Sequence, residues 1–305
     1  MDIFANPQLM NKNGDIDPNE GISEERGCSG RNRVADWKHQ CILLIKSTPM
    51  EEPVIRLKDV TKLYRRSHLG KTTESIGVED VSLEVKKGEV FGLLGLNGSG
   101  KTTTIKMLMG LLYATKGEVT LFGTAMPDHR ALSRVGYIPE AAYLNRFLTG
   151  RETIRLFATL GQIPAAGREA IVDEMIQKVG MQEWADKRIE DYSKGMVQRI
   201  CIGQALVHDP DLLIFDEPIS GLDPLAINEI RRLILWLKEQ GKTVFLCSHD
   251  ISEVARVCDR IGILCAGKLA KTASASEYEK NSDQLEKIFT ETVAGTHRVG
   301  ALSFG

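Results

Sequence analysis

The sequence predicts an α/β domain broken by an inserted helical segment, and three observations carry that prediction. From residue 54 onward, short β-branched and apolar runs alternate with stretches of helical spacing, as strands feeding helices do. Between about 141 and 208 the strand signals stop and helical spacing takes over. A glycine-rich turn in "VFGLLGLNGSGKTTTIKML" separates an apolar strand from an amphipathic helix. Strands are expected at 54–57, 79–85, 89–94, 117–122, 135–138, 211–215, 243–247 and 260–265. Helices of the insertion are expected at 151–160, 169–179 and 195–207.

Bulk composition narrows the function classes. The 305 residues are 42% hydrophobic and 26% charged, as in an ordinary globular protein, and the net charge of −2 gives no basic field for nucleic acid. The cysteines Cys28, Cys41, Cys201, Cys247, Cys258 and Cys265 show no metal-ligand or CxxC spacing, and most sit in apolar runs, which fits a reducing cytosol. No run approaches the roughly 18 consecutive apolar residues that span a bilayer. An acidic N-terminal stretch argues against a targeting peptide, so a membrane-spanning or exported chain is not expected.

Residues 1–49 differ from the rest: they are polar and lack sustained periodicity. Within them, residues 11–17 resemble the start of a calcium loop, but the loop's glycine falls on Ile16 and its terminal glutamate on Ile22, which excludes calcium. The stretch is expected to be a disordered extension or to lie upstream of a true start at Met50. The main domain is expected over 50–270, with its helical insertion at about 141–209. A polar tail, 271–305, then holds one short amphipathic segment around 285–289. No internal repeat is visible.

The glycine-rich turn fits G-x-x-x-x-G-K-[ST] at Gly95, Gly100, Lys101 and Thr102, with Leu96, Asn97, Gly98, Ser99 and Thr103 inside or beside it. Glycines let backbone N–H groups approach phosphates without Cβ collisions. The helix that follows presents its positive end, Lys101 is of a length to reach the β/γ-phosphates, and the Thr102 hydroxyl suits Mg²⁺. This is a nucleoside triphosphate site. The Asn97-Gly98-Ser99 glycosylation match lies inside the same turn and is set aside. Farther on, "PDLLIFDEP" gives an apolar strand ending in Asp216 and Glu217. In a parallel sheet, strand carboxyl ends gather ligand groups, so Asp216 is placed for Mg²⁺ and Glu217 for the attacking water. "DYSKGMVQR" opens another helix at Ser193, a good N-cap and a second anion-facing helix start.

"GLNGSGKTTT", "YSKGM", "LLIFDEPISGLDP" and "LCSHD", in this order and spacing, resemble the nucleotide-binding subunit of ATP-binding cassette (ABC) transporters over about 54–269. The resemblance implies a RecA-like P-loop NTPase core with a β-rich nucleotide-binding edge and an inserted α-helical subdomain. It implies two cassettes sandwiching two ATP molecules head to tail. It makes Tyr64 in "TKLYRR" the adenine-stacking aromatic, although the segment 65–77 after it is longer than usual for the family. Glu140 in "GYIPE" falls where glutamine is common and keeps an oxygen ligand for the metal and water. Ser220, Gly221, Leu222 and Asp223 match the loop that crosses to the opposite cassette, and His249 the histidine that bonds the γ-phosphate. In "YSKGM", Ser193 and Gly195 are retained from the commonest signature, LSGGQ, while Lys194 and Met196 replace a glycine and a glutamine.

The Glu140 variant, the YSKGM signature, the single cassette and the tail "LEKIFTETV" are similar to one branch, ATPase subunits of exporters whose permease is a separate polypeptide. The expectation is therefore an ATPase using ATP and Mg²⁺. It would pair with a second copy or a second cassette subunit, drive an integral-membrane permease, and sit peripherally on the cytoplasmic face of the membrane. The alternative is a soluble non-transport ATPase of the same family acting on a macromolecular partner. Ribosome-acting relatives usually carry two cassettes and DNA-repair relatives long coiled-coil insertions, and neither feature is present.

Overall fold

The computed structural model describes residues 52–68, 71–141 and 143–296, so the expectations for residues 1–49 lie outside the described residues. Strands β1 (Ile55–His68), β2 (Lys71–Val85), β3 (Val90–Leu94), β4 (Lys116–Leu121) and β5 (Thr124–Ala125) open the domain, with helix α1 (Lys101–Leu108) after β3. Helix α2 (His129–Leu132) and strand β6 (Val135–Ile138) lead into the insertion, α3 (Gly150–Leu160), α4 (Arg168–Lys178) and α5 (Lys194–Leu206). The chain returns through β7 (Leu212–Asp216), α6 (Pro224–Glu239), β8 (Thr243–Ser248), α7 (Ile251–Val257), β9 (Arg260–Cys265), β10 (Lys268–Ser274), α8 (Ala275–Tyr278) and α9 (Ser282–Thr296).

Two sheets result. A six-stranded sheet runs in the order β10-β9-β3-β8-β7-β6, parallel except for the edge strand β10. Its central strands β3, β7 and β8 are buried at every position, as continuous apolar runs covered on both faces must be. The second sheet is antiparallel, β2-β1-β4-β5. Its strands β1 and β2 are longer than expected. Beyond the expected strands, residues 62–68 of β1 pair antiparallel with residues 71–78 of β2, Tyr64 opposite Ser75 and His68 opposite Lys71.

The insertion has a core of its own, built on Ile154, Val172, Ile176, Met181 and Ile189. Helix α3 starts at Thr149, whose hydroxyl accepts from Glu152 N–H while Glu152 bonds back to Thr149 N–H. Helix α5 belongs to both layers, because Ile200 packs into the insertion while Cys201 and Ala205 pack on the main core.

At residue 270 the sheet does not stop. β10 crosses that position, pairing Ser274 with Arg260, and α9 continues to Thr296. The tail reads as polar because α9 touches the core on one side only. Leu285 is fully buried there, with Ile288, Phe289 and Val293 beside it.

Candidate nucleotide site

Parallel register assembles the site. It sets Leu94 of β3 beside Ser248 of β8, and Cys247 of β8 beside Asp216 of β7. The loop that begins at Gly95, the acid pair and His249 thus leave neighbouring strands at one sheet edge, where open α/β sheets bind ligands.

In the loop after β3, Gly98 and Gly100 have φ of +79° and +113°, conformations that favour glycine. A Cβ on Gly100 would lie 2.6 Å from the Gly77 carbonyl, and one on Gly95 would strike the Ser99 side chain and lie 2.6 Å from the Leu264 carbonyl. Leu96, Asn97 and Gly98 are exposed, as is Thr102 in the first turn of α1. The Ser99 hydroxyl is buried without a hydrogen-bond partner.

Lys101 is buried, and its Nζ donates to the Gly95 carbonyl at 2.7 Å and lies 3.3 Å from Glu217 Oε1. Glu217 is buried too, in the left-handed region at φ +48°, where its N–H donates to the Cys247 carbonyl at 2.9 Å. Its other oxygen, Oε2, accepts from the His249 N–H at 3.2 Å and lies 2.8 Å from His249 Nδ1. The exposed ring of His249 is thereby oriented with Nε2 outward. One residue earlier, burial and the nearby carboxylates of Glu217 and Glu140 raise the Asp216 carboxyl above its ordinary range, against the pull of Lys101. Near it, burial and the Asp216 carboxylate push the Tyr137 phenol up to about 12, so it stays protonated. Tyr137 carried no signal in the sequence, since an aromatic residue in a strand reads as core.

Tyr64 stands on β1 with its hydroxyl 3.1 Å from Thr103 Oγ1. A Cβ on Gly77 would fall 2.6 Å from Tyr64 Cε2 and 3.0 Å from Thr103 Cγ2. Gly77, another position the sequence did not single out, is what lets this ring lie against the start of α1.

The second anion-facing helix start is separate. Ser193 caps α5, its Oγ accepting from Met196 N–H at 3.3 Å, and among the described residues its bonds remain within that helix. Ser193 and Lys194 are exposed, Gly195 and Met196 half-buried, and a Cβ on Gly195 would meet nothing within 4 Å. Packing in this chain therefore places no demand for glycine there. In the loop 220–223, Gly221 has φ +65°, and Asp223 caps α6 by accepting from Leu225 and Ala226 N–H at 2.9 and 3.0 Å. Just beyond, Leu225 is 78% exposed.

For Mg²⁺ the donor set fits. Thr102, Asp216 and Glu140 offer hard oxygen ligands, and besides burial, the repulsion of Glu217 and Glu140 that helps raise Asp216 is what a divalent cation would relieve. No cluster of three or more acidic, histidine or cysteine ligands is preformed among the described residues. That suits an ion held largely by substrate phosphates.

The family model "ABC transporter" matches residues 78–220. The bacitracin transport ATP-binding protein of Enterococcus faecalis is 40% identical over 235 residues, covering 76% of this chain and 72% of that protein. The chain belongs to the ABC transporter ATP-binding proteins. Another relative in this family, the Nod factor export ATP-binding protein I of Rhizobium meliloti, is 34% identical over 76% of this chain and 68% of its own length. Among solved structures, a dimeric ATP-binding cassette in a post-hydrolysis state with ADP and Pi superposes with a TM-score of 0.65 at 26% identity, over 72% of this chain and 98% of that one. The protein is thus an ABC ATPase, a RecA-like cassette that binds and hydrolyses ATP as a transporter subunit. No helix among its described residues is long and apolar enough to cross a membrane.

Proposed function

We propose that this ABC ATPase works as a cytoplasmic Mg-ATP-driven dimer, with a second copy or a second cassette subunit, and powers export through a separate integral-membrane permease. One observation carries the dimer: the chain holds two half-sites that do not meet. Lys101, Glu217 and His249 form one connected group, while Ser193 and Gly195 present an anion-ready helix start to which, among the described residues, no phosphate-binding group is bonded. The exposed Leu225 beside the loop 220–223 supports a partner surface there. Export rests on the YSKGM signature, Glu140 and the export function in the name of the Rhizobium meliloti relative.

In this reading the backbone N–H groups of residues 95–103 and the Lys101 ammonium bind the phosphates of ATP, and Tyr64 stacks on the adenine. Thr102, Asp216 and Glu140 hold Mg²⁺, which when bound neutralises charge on the phosphate oxygens. On ATP binding, Lys101 exchanges Glu217 and the Gly95 carbonyl for phosphate oxygens. Glu217 is then free to orient water and take its proton. His249, held through Nδ1, turns Nε2 toward the γ-phosphate. Ser193 and Gly195 close over the partner's γ-phosphate, and residues 220–223 cross between the subunits.

Glu217→Gln retains reach and shape but removes the base, so the variant is expected to bind ATP, lose about a hundredfold or more in kcat, and accumulate as an ATP-bound dimer on gel filtration. Wild-type turnover would remove Glu217 from the assigned role. Membrane fractionation tests the partner: co-purification with a permease supports transport, while persistent separation from membranes favours a soluble, non-transport ATPase.

A further inference from the structure

Lys194 occupies the first position of α5, where the positive end of the helix disfavours a cation. Its ammonium turns back onto its own chain, donating to the carbonyls of Gly221 at 2.8 Å and Ser220 at 3.2 Å. One turn along the same helix face, Gln198 Nε2 donates to the Pro218 carbonyl at 3.4 Å. Two side chains of α5 therefore grip the backbone of the loop that starts directly after Glu217 and ends at the Asp223 cap. Inside that loop, Ser220 N–H donates to the Glu217 carbonyl at 3.1 Å and Leu222 N–H to the Ile219 carbonyl at 3.2 Å, so a pull on residues 220 and 221 is felt at Glu217. Gly221 is fitted to this contact: a Cβ there would lie 2.6 Å from Lys194 Nζ. In the LSGGQ signature this position is glycine and has no side chain to make the bond.

We infer that Lys194 is a positioning residue, a latch in its own subunit that ties the start of α5 to residues 220–223 and through them holds Glu217. The latch makes the anion-facing helix start and the crossing loop move as one unit. Its consequence for turnover rests on the role proposed above for Glu217; the latch itself does not.

The test compares Lys194→Met, which keeps the stem and loses the donors, with Lys194→Arg, which keeps donors, in the full chain. In the nucleotide-free protein, Lys194→Met is expected to speed hydrogen exchange at the amides of residues 219–223 by about fivefold, the value of one exposed hydrogen bond, and Lys194→Arg to restore it. With ATP and Mg²⁺, Lys194→Met should lower kcat by about tenfold with KM unchanged, as a displaced catalytic group does, and Lys194→Arg should recover at least part of it. Unchanged exchange overturns the latch. Raised KM with kcat intact overturns the positioning role and makes Lys194 a ligand of the partner's nucleotide, whereas faster exchange with wild-type kcat overturns the positioning role and leaves the latch standing. If Glu217→Gln failed to trap a dimer while the exchange difference persisted, the proposed function would fall and the latch would stand.

Discussion

At the residue scale, the site depends on close approach as much as on charge. Gly77 has no side chain, so the Tyr64 ring and Thr103 share the space a Cβ would fill. Gly77→Ala leaves a buried strand position occupied by a small residue, so the fold is expected to survive while the ring is displaced. We expect ATP affinity to fall about fivefold to tenfold, roughly 1 kcal/mol, with little change in kcat; fluorescent-nucleotide titration measures it. The phosphate loop and the acid pair were legible because each is contiguous in sequence and each residue type has a single economical use there. Gly77 and Tyr137 were not, since their meaning comes from partners across strands, Tyr64 and Asp216.

At the element scale, α5 joins the insertion to the sheet, and its C-terminal end carries a titrating group. His208 follows α5, half-buried, with Nε2 3.2 Å from the Val135 carbonyl of β6. Burial lowers its pKa, so the folded protein prefers the neutral ring and the unfolded chain binds more protons. Its contribution is complete above the ordinary histidine range and is lost as pH falls through it. Urea unfolding at about pH 7.5 and about pH 5.5 should show that stability drops on acidification and that His208→Gln flattens the drop. Wild-type slope in the variant would assign the effect elsewhere. The insertion helices were legible from periodicity within a couple of residues. Strands β5 and β10 were not: β5 has two exposed residues, and β10 is an edge strand that is mostly exposed, so neither carries a buried pattern.

At the scale of the whole molecule, the last helix is part of the core. Leu285 is fully buried among residues that include Tyr278, whose hydroxyl donates to the Cys258 carbonyl at 2.8 Å, and Val254 of α7. Leu285→Ala is expected to cost about 3 kcal/mol in chemical denaturation while leaving ATP affinity unchanged. A loss below about 1 kcal/mol would mean that α9 merely rests on the surface. The polar composition of 271–305 reflects the exposed face of α9 rather than the face turned to the sheet, so its place in the core is not visible in composition.

The sequence by itself determined the chemistry: an α/β phosphate-binding core, an acid pair on an apolar strand, a helical insertion, and a second helix start suited to an anion. These are local patterns, set by residue type and spacing over one or two elements. Tertiary structure decided which of them meet. Strand order β3-β8-β7 brings Lys101, Glu217 and His249 within hydrogen-bond reach, and the turn of α5 against the loop after β7 gives Lys194 its carbonyl partners. The physical reason is that a charge finds its partner through packing and register, and neither is written in the spacing along one strand of chain.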